Sequence, residues 1–293
     1  MSNNPKKEKR KNKLSLIAQV MAILFGLDCR GQSRHDAKDD HGRVAGIYSS
    51  ATFDKYLRIC CLFVKWCKAK YKCKTLSECR KYVDEWLAEL IAANRAAHTI
   101  KLYACAVAKL FQCSTKDFIK TPARERKNIT RSRGVKARDA HFSEENNSTI
   151  VNFCRSVGAR RHEIMALRAG DLKYDKGKYY VKIKRGKGGK AREVLVVGDV
   201  QNVIDCFDKA KSDPYGRVFP KIPNAMDVHG YRREYAETLY NMVARDVSTL
   251  SKKETYRCRK DKRGIVYDIE AMLTVSENLG HNRIDVIAYN YLD

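Results

Sequence analysis

Apolar residues recur at helical spacing through the first half of the chain. Ile17, Val20, Met21, Leu24 and Leu27 share one face of a helix predicted over residues 14–27. Three more amphipathic patterns lie between residues 50 and 111, with lysines and arginines on their outward faces. The pattern therefore predicts a first domain built only from helices.

The second half mixes helical patterns with short strand-like ones. Residues 179–184 alternate, and residues 193–197 are apolar and β-branched, so we predict two strands joined by a flexible basic hairpin turn. A second basic hairpin is predicted over residues 255–267, turning at 262–264. Helices are predicted over 143–157, 160–167, 200–211, 230–244, 269–278 and 282–292.

Together these elements predict a helix-dominated α+β protein with short antiparallel hairpins. A chain of 293 residues is long enough for two hydrophobic cores. We expect a basic N-terminal arm and amphipathic helix over 1–45, a helical domain over 46–119, a basic linker over 120–140 and a mixed domain over 141–293.

The charge balance indicates a polyanionic partner. The chain has 59 Lys and Arg against 34 Asp and Glu, a formal net charge of +25 that would repel itself in a compact protein without such a partner. Nucleic acid is the polyanion that this favours. The basic linker could follow a DNA duplex, or it could be a plain soluble tether. The residues expected to contact DNA are Lys120, Arg124, Arg126, Lys127, Arg131 and Arg133 in the linker and Lys184, Arg185 and Lys190 at the first hairpin.

Eleven cysteines do not indicate a disulfide framework here, because the number is odd and no C-x-x-C pair occurs. Reduced thiols in a cytoplasmic protein, nucleoid-associated when bound to DNA, are the simpler interpretation. The apolar stretch over 14–27 is too short to span a bilayer and lacks a small-residue cleavage site. We therefore expect no membrane partner.

Four stretches carry side chains suited to chemistry on a phosphodiester. Taken singly, each has an ordinary interpretation: a surface ion pair, a turn lysine, a helix cap or packing tyrosines. Together they form a complete set for transesterification, with guanidiniums to stabilise the pentacovalent phosphate, histidines and a lysine for proton transfer, and a tyrosine to attack. The sequence shows no carboxylate cluster of the kind that a two-metal nuclease needs, so no metal site is expected. The candidates are Arg160, Lys187, His229, Arg232, His281, Tyr289 and Tyr291.

The same stretches are similar to the successive boxes of the tyrosine recombinases, the phage-integrase family. The boxes read G-A-R-R-H-E-I-M-A-L-R-A-G-D-L, G-K-G-G-K-A-R-E-V, H-G-Y-R-R-E-Y-A and L-G-H, followed by a tyrosine. The resemblance covers residues 141–293. The helical domain and linker before them fit the position and size of that family's DNA-clamping core-binding domain.

The resemblance implies a role for each box residue. Arg160 would be the first catalytic arginine with Glu163 as its orienting neighbour, Lys187 the general acid toward the 5′-oxygen, His229 and Arg232 the H-x-x-R pair, and His281 the last phosphate-binding histidine.

Two features depart from the family pattern. The family's nucleophile usually lies where Asn290 stands here, between Tyr289 and Tyr291. We favour Tyr291, because the loop at Asn282 and Arg283 can absorb the offset, and keep Tyr289 as the alternative. The hairpin over 255–267 also lengthens the distance between the H-x-x-R and L-G-H boxes. It could be an insertion that contacts DNA or a partner, or only a structural flap.

The function implied by the resemblance is site-specific recombination of double-stranded DNA. Such a DNA strand transferase, or integrase, cuts and rejoins attachment sites through a 3′-phosphotyrosine link. The resemblance therefore implies that neither ATP, a metal nor any other cofactor is needed. We expect a C-shaped clamp on DNA, a homotetramer on paired sites, and integration or excision of a mobile element. Two alternatives stay open: a type IB topoisomerase-like enzyme, and a catalytically inactive DNA-binding protein of the same fold.

Overall fold

The structure is a computed structural model, and it describes residues 14–34, 36–38, 44–123, 125, 142–186, 189–281 and 283–292. The chain divides into two compact units, Met1–Ile129 and Thr130–Asp293. The linker predicted over 120–140 lies largely outside the described residues, so the domain boundaries stay predictions.

The first unit is built from helices joined by loops, and its described residues include no β-strand. Its apolar stripes face one core, where the rings of Phe63 and Trp86 lie 5.1 Å apart between centroids. Leu16, Val20 and Leu24 belong to the same core, so the first helix packs with those that follow it. Ile17 and Met21 of the predicted apolar face are exposed, and Leu16 is buried instead. The helices are α1 Leu16–Gly26, α2 Ser50–Tyr71, α3 Leu76–Arg80, α4 Val83–Ala92 and α5 Ala97–Leu110.

The second unit combines helices with two small antiparallel sheets. Its helices are α6 Ser148–Val157, α7 Arg161–Ala166, α8 Val200–Ala210, α9 Val228–Val243, α10 Ile269–Leu279 and α11 Ile284–Asn290. Its strands are β1 Leu172–Asp175, β2 Lys178–Ile183, β3 Arg192–Leu195, β4 Thr255–Arg257 and β5 Val266–Asp268. The prediction of a helix-dominated α+β fold is confirmed. No helix in the described ranges has both the length and the apolar composition to cross a membrane.

The larger sheet forms where the sequence alternates. Its strands lie in the order β1-β2-β3, and Val181 of β2 lies opposite Val194 of β3. Val181 and Ile183 are buried while Lys182 between them is exposed, as a strand with one face on a core requires. This sheet places Arg192, the first residue of β3, beside the end of α10.

Two glycines end helices at positions that matter for the site. Gly158 ends α6 with φ +60°, and a Cβ there would lie 2.2 Å from Cδ1 of Tyr235. Gly280 ends α10 with φ +63°, and a Cβ there would lie 3.1 Å from Cδ of Arg192. Residues with a side chain pay for a left-handed conformation, and here they would also crowd a neighbour. Glycine therefore lets α6 stop against Tyr235 and α10 stop against Arg192.

Candidate active site

Arg160 and Arg232 meet at the C-terminal end of α10. Both guanidiniums donate to the carbonyl oxygen of Leu279, the last residue of that helix, with Arg160 Nη2 at 3.3 Å and Arg232 Nη2 closer. The last carbonyls of a helix lack intrahelical partners and carry the negative end of the helix dipole, so they favour cations. Arginines from two separate sequence boxes thus share one main-chain anchor.

Arg232 is almost fully buried, with 1% of its surface exposed. Its Nη1 donates to the carbonyl of Gly158, and its Nε lies 3.3 Å from the hydroxyl oxygen of Tyr291. Burial lowers the pKa of this guanidinium from its ordinary value, because desolvation penalises the charged form. The ordinary pKa of arginine is so high that the group stays charged at neutral pH. A cation held by main-chain carbonyls therefore faces the tyrosine.

Tyr291 lies just after α11 with 3% of its surface exposed, among the predicted site residues. Its hydroxyl oxygen is 3.1 Å from Nε2 of His281, and its ring centroid is 5.7 Å from that of His229. In the histidine tautomer protonated on Nδ1, Nε2 of His281 accepts the phenol hydrogen. This arrangement can take the proton from Tyr291 and stabilise the resulting phenolate beside Arg232.

Tyr289 lies elsewhere, although only Asn290 separates the two tyrosines. Its hydroxyl accepts a hydrogen bond from the main-chain N–H of Arg259 at 2.7 Å and donates to the carbonyl of the same residue at 2.9 Å. Tyr291 is thus the tyrosine that lies beside Arg232 and His281, and Tyr289 the one bound to the β4–β5 hairpin. The choice of Tyr291 as nucleophile stays a prediction that this geometry favours.

Glu163 joins Arg160 to a residue that the sequence-based prediction missed. Its carboxylate accepts hydrogen bonds from the Arg160 amide and Nη1, both at 2.8 Å, and from Arg192 Nη1 at 3.0 Å and Nη2 at 2.8 Å. Arg192 also donates from Nε to the carbonyl of Asn278 at 2.8 Å. The available signal was an arginine opening an apolar strand inside the G-K-G-G-K-A-R-E-V box. Arg192 and Glu163 together fix the orientation of Arg160.

The buried carboxylate of Glu163 should make the free energy of unfolding depend on pH in the acid range. Burial alone would raise the pKa of Glu163, but hydrogen bonds from Arg192 and from the Arg160 amide outweigh it and lower the pKa from 4.5 to about 2. Because the folded pKa lies below the unfolded one, the stabilisation is fully present above the unfolded value and is lost as the pH falls toward the folded value. A pKa difference of about 2.5 corresponds to about 3 kcal/mol.

The measurement is the free energy of unfolding in urea for wild type and Glu163→Gln across the acid range. We expect a gap of about 3 kcal/mol at neutral pH that narrows progressively below the unfolded pKa of 4.5. A gap that stays constant into strong acid would contradict the assigned ion-pair role.

Arg161, a second residue that the sequence-based prediction missed, shapes the cavity in front of these groups. Its guanidinium donates to the carbonyls of Ile222 at 3.3 Å, Pro223 at 2.9 Å and Met226 at 2.7 Å. These bonds hold the segment that leads into α9, and with it His229. Residues 224–229 and the arginines border a cavity of about 730 Å³ that opens to the surface. It is lined by Arg160, Arg161, Asn224, Ala225, Met226, Asp227, Val228, His229 and Arg232. Its basic lining suits a phosphate group.

The remaining candidates are exposed or lie outside the described residues. Lys187 is outside, as are Arg124, Arg126, Lys127, Arg131 and Arg133. Lys120, Arg185 and Lys190 are exposed, and Lys184 is exposed but pairs with the buried Asp171, Nζ to Oδ1 2.7 Å. Within the described part of the chain, no group of three or more His, Cys, Asp and Glu side chains is arranged to hold a metal.

No protein-family model and no curated protein matches the chain. Solved structures that it resembles include the XerH site-specific recombinase bound to difH substrate in a pre-cleavage complex, with 14% identity and a TM-score of 0.44 over 95% of this chain and 94% of the other. They also include the Tn1549 transposon integrase in complex with circular intermediate DNA, with 12% identity and a TM-score of 0.48 over 96% and 95%.

Proposed function

We propose that the protein is a site-specific tyrosine recombinase, an integrase that cuts and rejoins duplex DNA through a 3′-phosphotyrosine intermediate. The observation that carries the proposal is the position of the buried Tyr291 hydroxyl, 3.1 Å from His281 Nε2 and 3.3 Å from Arg232 Nε. A phenol placed between a base and a fixed cation, next to a basic cavity, is equipped to attack a phosphodiester.

The arginines prepare the cavity for the charge that develops during the reaction. A scissile phosphate in the cavity would accept hydrogen bonds from Arg160 and Arg232, whose guanidiniums are already fixed by Glu163 and by main-chain carbonyls. His229 lines the same cavity and adds a donor. Because these groups are held before DNA binds, little reorganisation is needed when the phosphate becomes pentacovalent.

The covalent step exchanges one phosphodiester for another. The oxygen of Tyr291 forms a bond to phosphorus while the bond from phosphorus to the 5′-oxygen breaks. The phenol proton passes to His281, and the departing 5′-oxygen takes a proton from an acid, the role that the family resemblance gives to Lys187. A 5′-hydroxyl from a second strand reverses the step and releases the tyrosine. Since the bond energy is kept in the phosphotyrosine, the cycle consumes no ATP.

The proposal extends to the partners of the protein. The net charge of +25 and the exposed Lys120, Arg185 and Lys190 support binding to double-stranded DNA through phosphate contacts. We further propose that it acts as a homotetramer on paired attachment sites to integrate or excise a mobile element in the cytoplasm.

The direct test is the trapping of a covalent protein–DNA adduct. The protein is incubated with a pool of nicked suicide duplexes carrying random core sequences, and adducts are isolated on a denaturing gel and sequenced. We expect a phosphotyrosine adduct enriched for one core sequence. No adduct from a pool that the protein demonstrably binds would contradict the proposal in favour of a DNA-binding protein. Relaxation of plasmids without sequence preference would contradict it in favour of a type IB topoisomerase.

A further inference from the structure

The turn of the β4–β5 hairpin is bound to the end of the chain that carries Tyr291. Lys262 in this turn is only 6% exposed, and its Nζ donates to the carbonyl of Ala288 at 2.9 Å and to that of Leu292. Lysines are rarely buried in folded proteins unless they have partners. The basic side chains around it, Arg257, Arg259 and Arg263, are exposed. Lys262 is therefore buried and bound to the main chain, whereas the other basic side chains of the hairpin face solvent.

A second anchor lies a few residues away on the same turn. The hydroxyl of Tyr289 makes two hydrogen bonds to the main chain of Arg259, one as acceptor and one as donor. Pairing with both main-chain groups of one residue fixes the tyrosine in direction as well as in distance. The hairpin thus contacts α11 through Arg259, which pairs with Tyr289, and through Lys262, which binds the carbonyls of Ala288 and of Leu292 just after the helix.

Helix α11 needs such support. It is only seven residues long, and a helix of that length is marginal without tertiary contacts. The carbonyl of Ala288 is among its last four, which have no intrahelical partner, and a cation near them complements the helix dipole. Lys262 supplies both the donor and the charge.

The base of the hairpin is itself fixed to the site. Asp268 ends β5 and is fully buried, and Arg245 donates to its carboxylate from Nε at 2.9 Å and Nη2 at 2.8 Å. The same carboxylate accepts the amide of Glu270 and so caps α10, the helix that ends at Leu279 below the two site arginines. The hairpin therefore connects α10, which anchors the arginines, to α11, which carries the tyrosine.

We propose that the β4–β5 hairpin is a latch for α11, and that Lys262 and Tyr289 are positioning residues that hold Tyr291 beside His281 and Arg232 of its own subunit. The catalytic meaning of the latch rests on the proposed function, whereas its hold on α11 is a property of the protein without DNA. Tyr289 is then a part of the latch and not a spare nucleophile.

The hold on α11 is tested without any reaction, by hydrogen exchange and mass spectrometry on the full chain. In Lys262→Met and Tyr289→Phe, peptides covering residues 284–292 should exchange about tenfold faster, as expected for the loss of a buried hydrogen bond. Peptides from the first unit should not change. Arg263→Met, an exposed residue next to Lys262, is the matched control and should leave α11 protected. Unchanged exchange over 284–292 in Tyr289→Phe overturns the latch, even if Lys262→Met does not fold.

The effect on positioning is tested with the DNA core recovered from the adduct experiment. Lys262→Met and Tyr289→Phe should each lower the single-turnover cleavage rate about tenfold at unchanged DNA affinity. Lys262→Arg, which keeps a cationic donor, should cleave faster than Lys262→Met. A substrate with sulfur in place of the bridging 5′-oxygen needs no acid, so it should not rescue them, whereas it would rescue a defect in leaving-group protonation. Lower DNA affinity at a normal rate would overturn the latch in favour of a DNA contact. The two experiments can also give different answers. If Lys262→Met and Tyr289→Phe speed up exchange but the wild-type protein forms no DNA adduct, the hold of the hairpin on α11 is supported and the recombinase function is contradicted.

Discussion

Replacing Tyr291 by phenylalanine should abolish the covalent DNA adduct, whereas Tyr289→Phe should keep it at a reduced rate. The phenol oxygen of Tyr291 is the atom that bonds to phosphorus, so no link can form once it is removed. The hydroxyl of Tyr289 is instead hydrogen-bonded to the main chain of Arg259. On a denaturing gel, we expect adduct from Tyr291→Phe below about one thousandth of the wild-type amount.

The pair of variants controls for folding. Phenylalanine keeps the ring that packs at the end of α11, so both proteins should unfold cooperatively and bind DNA as wild type does. An adduct that disappears in Tyr289→Phe but survives in Tyr291→Phe would assign the nucleophile to Tyr289, and would also contradict the latch.

Replacing Arg232 by lysine should have the second large effect, a loss of about 10²–10³ in the cleavage rate at nearly unchanged DNA affinity. The guanidinium donates at once to the carbonyls of Gly158 and Leu279 while its Nε lies 3.3 Å from the Tyr291 hydroxyl. Lysine keeps the charge but has no planar fork, so it cannot hold these anchors and a phosphate together. Affinity should persist because many distributed phosphate contacts supply it.

The measurement combines single-turnover cleavage at saturating protein with filter binding at a fixed salt concentration. Arg233→Lys is the matched control: it follows Arg232 on α9 and pairs with Glu237, Nε to Oε1 3.3 Å, so its rate should change little. Wild-type cleavage by Arg232→Lys, or complete loss of DNA binding, would contradict the role proposed for this arginine.

Periodicity in the sequence was enough to predict the elements that pack by repeated contact. The alternation along β2 reflects burial against a core. On α1 the period correctly predicted a helix and the burial of Val20 and Leu24, but it misplaced the edge of the buried face, because Leu16 is buried while Ile17 and Met21 are exposed. The same reasoning missed β1 and α3. β1 spans only Leu172–Asp175 and forms by pairing with β2, and α3 has five residues, too few to show a helical period. Short elements are determined by their partners more than by their own residues.

The candidate site divides in the same way. Residue types predicted which side chains could bind and react with a phosphodiester. They did not predict which further arginines hold those side chains in place. Arg192 acts on Glu163 and Arg161 on three distant carbonyls, and such pairings are set only when the chain folds. Lys262 is the extreme case, since in the sequence it is one of several cations in a basic hairpin, and only tertiary packing buries it.

The position of Gly280 next to Arg192 couples the effects of substitutions in different parts of the site. A Cβ there would lie 3.1 Å from Cδ of Arg192, so the Arg192 side chain would have to shift by a few tenths of an ångström. Arg192 is one of the two arginines that donate to the carboxylate of Glu163. Substitutions at 280, 192 and 163 therefore all act on the ion pair between Arg192 and Glu163, and we expect their combined free-energy cost to be smaller than the sum of the single costs. The glycine of the L-G-H box is thus an epistatic partner of the first box, and scoring the two positions independently would count the same interaction twice.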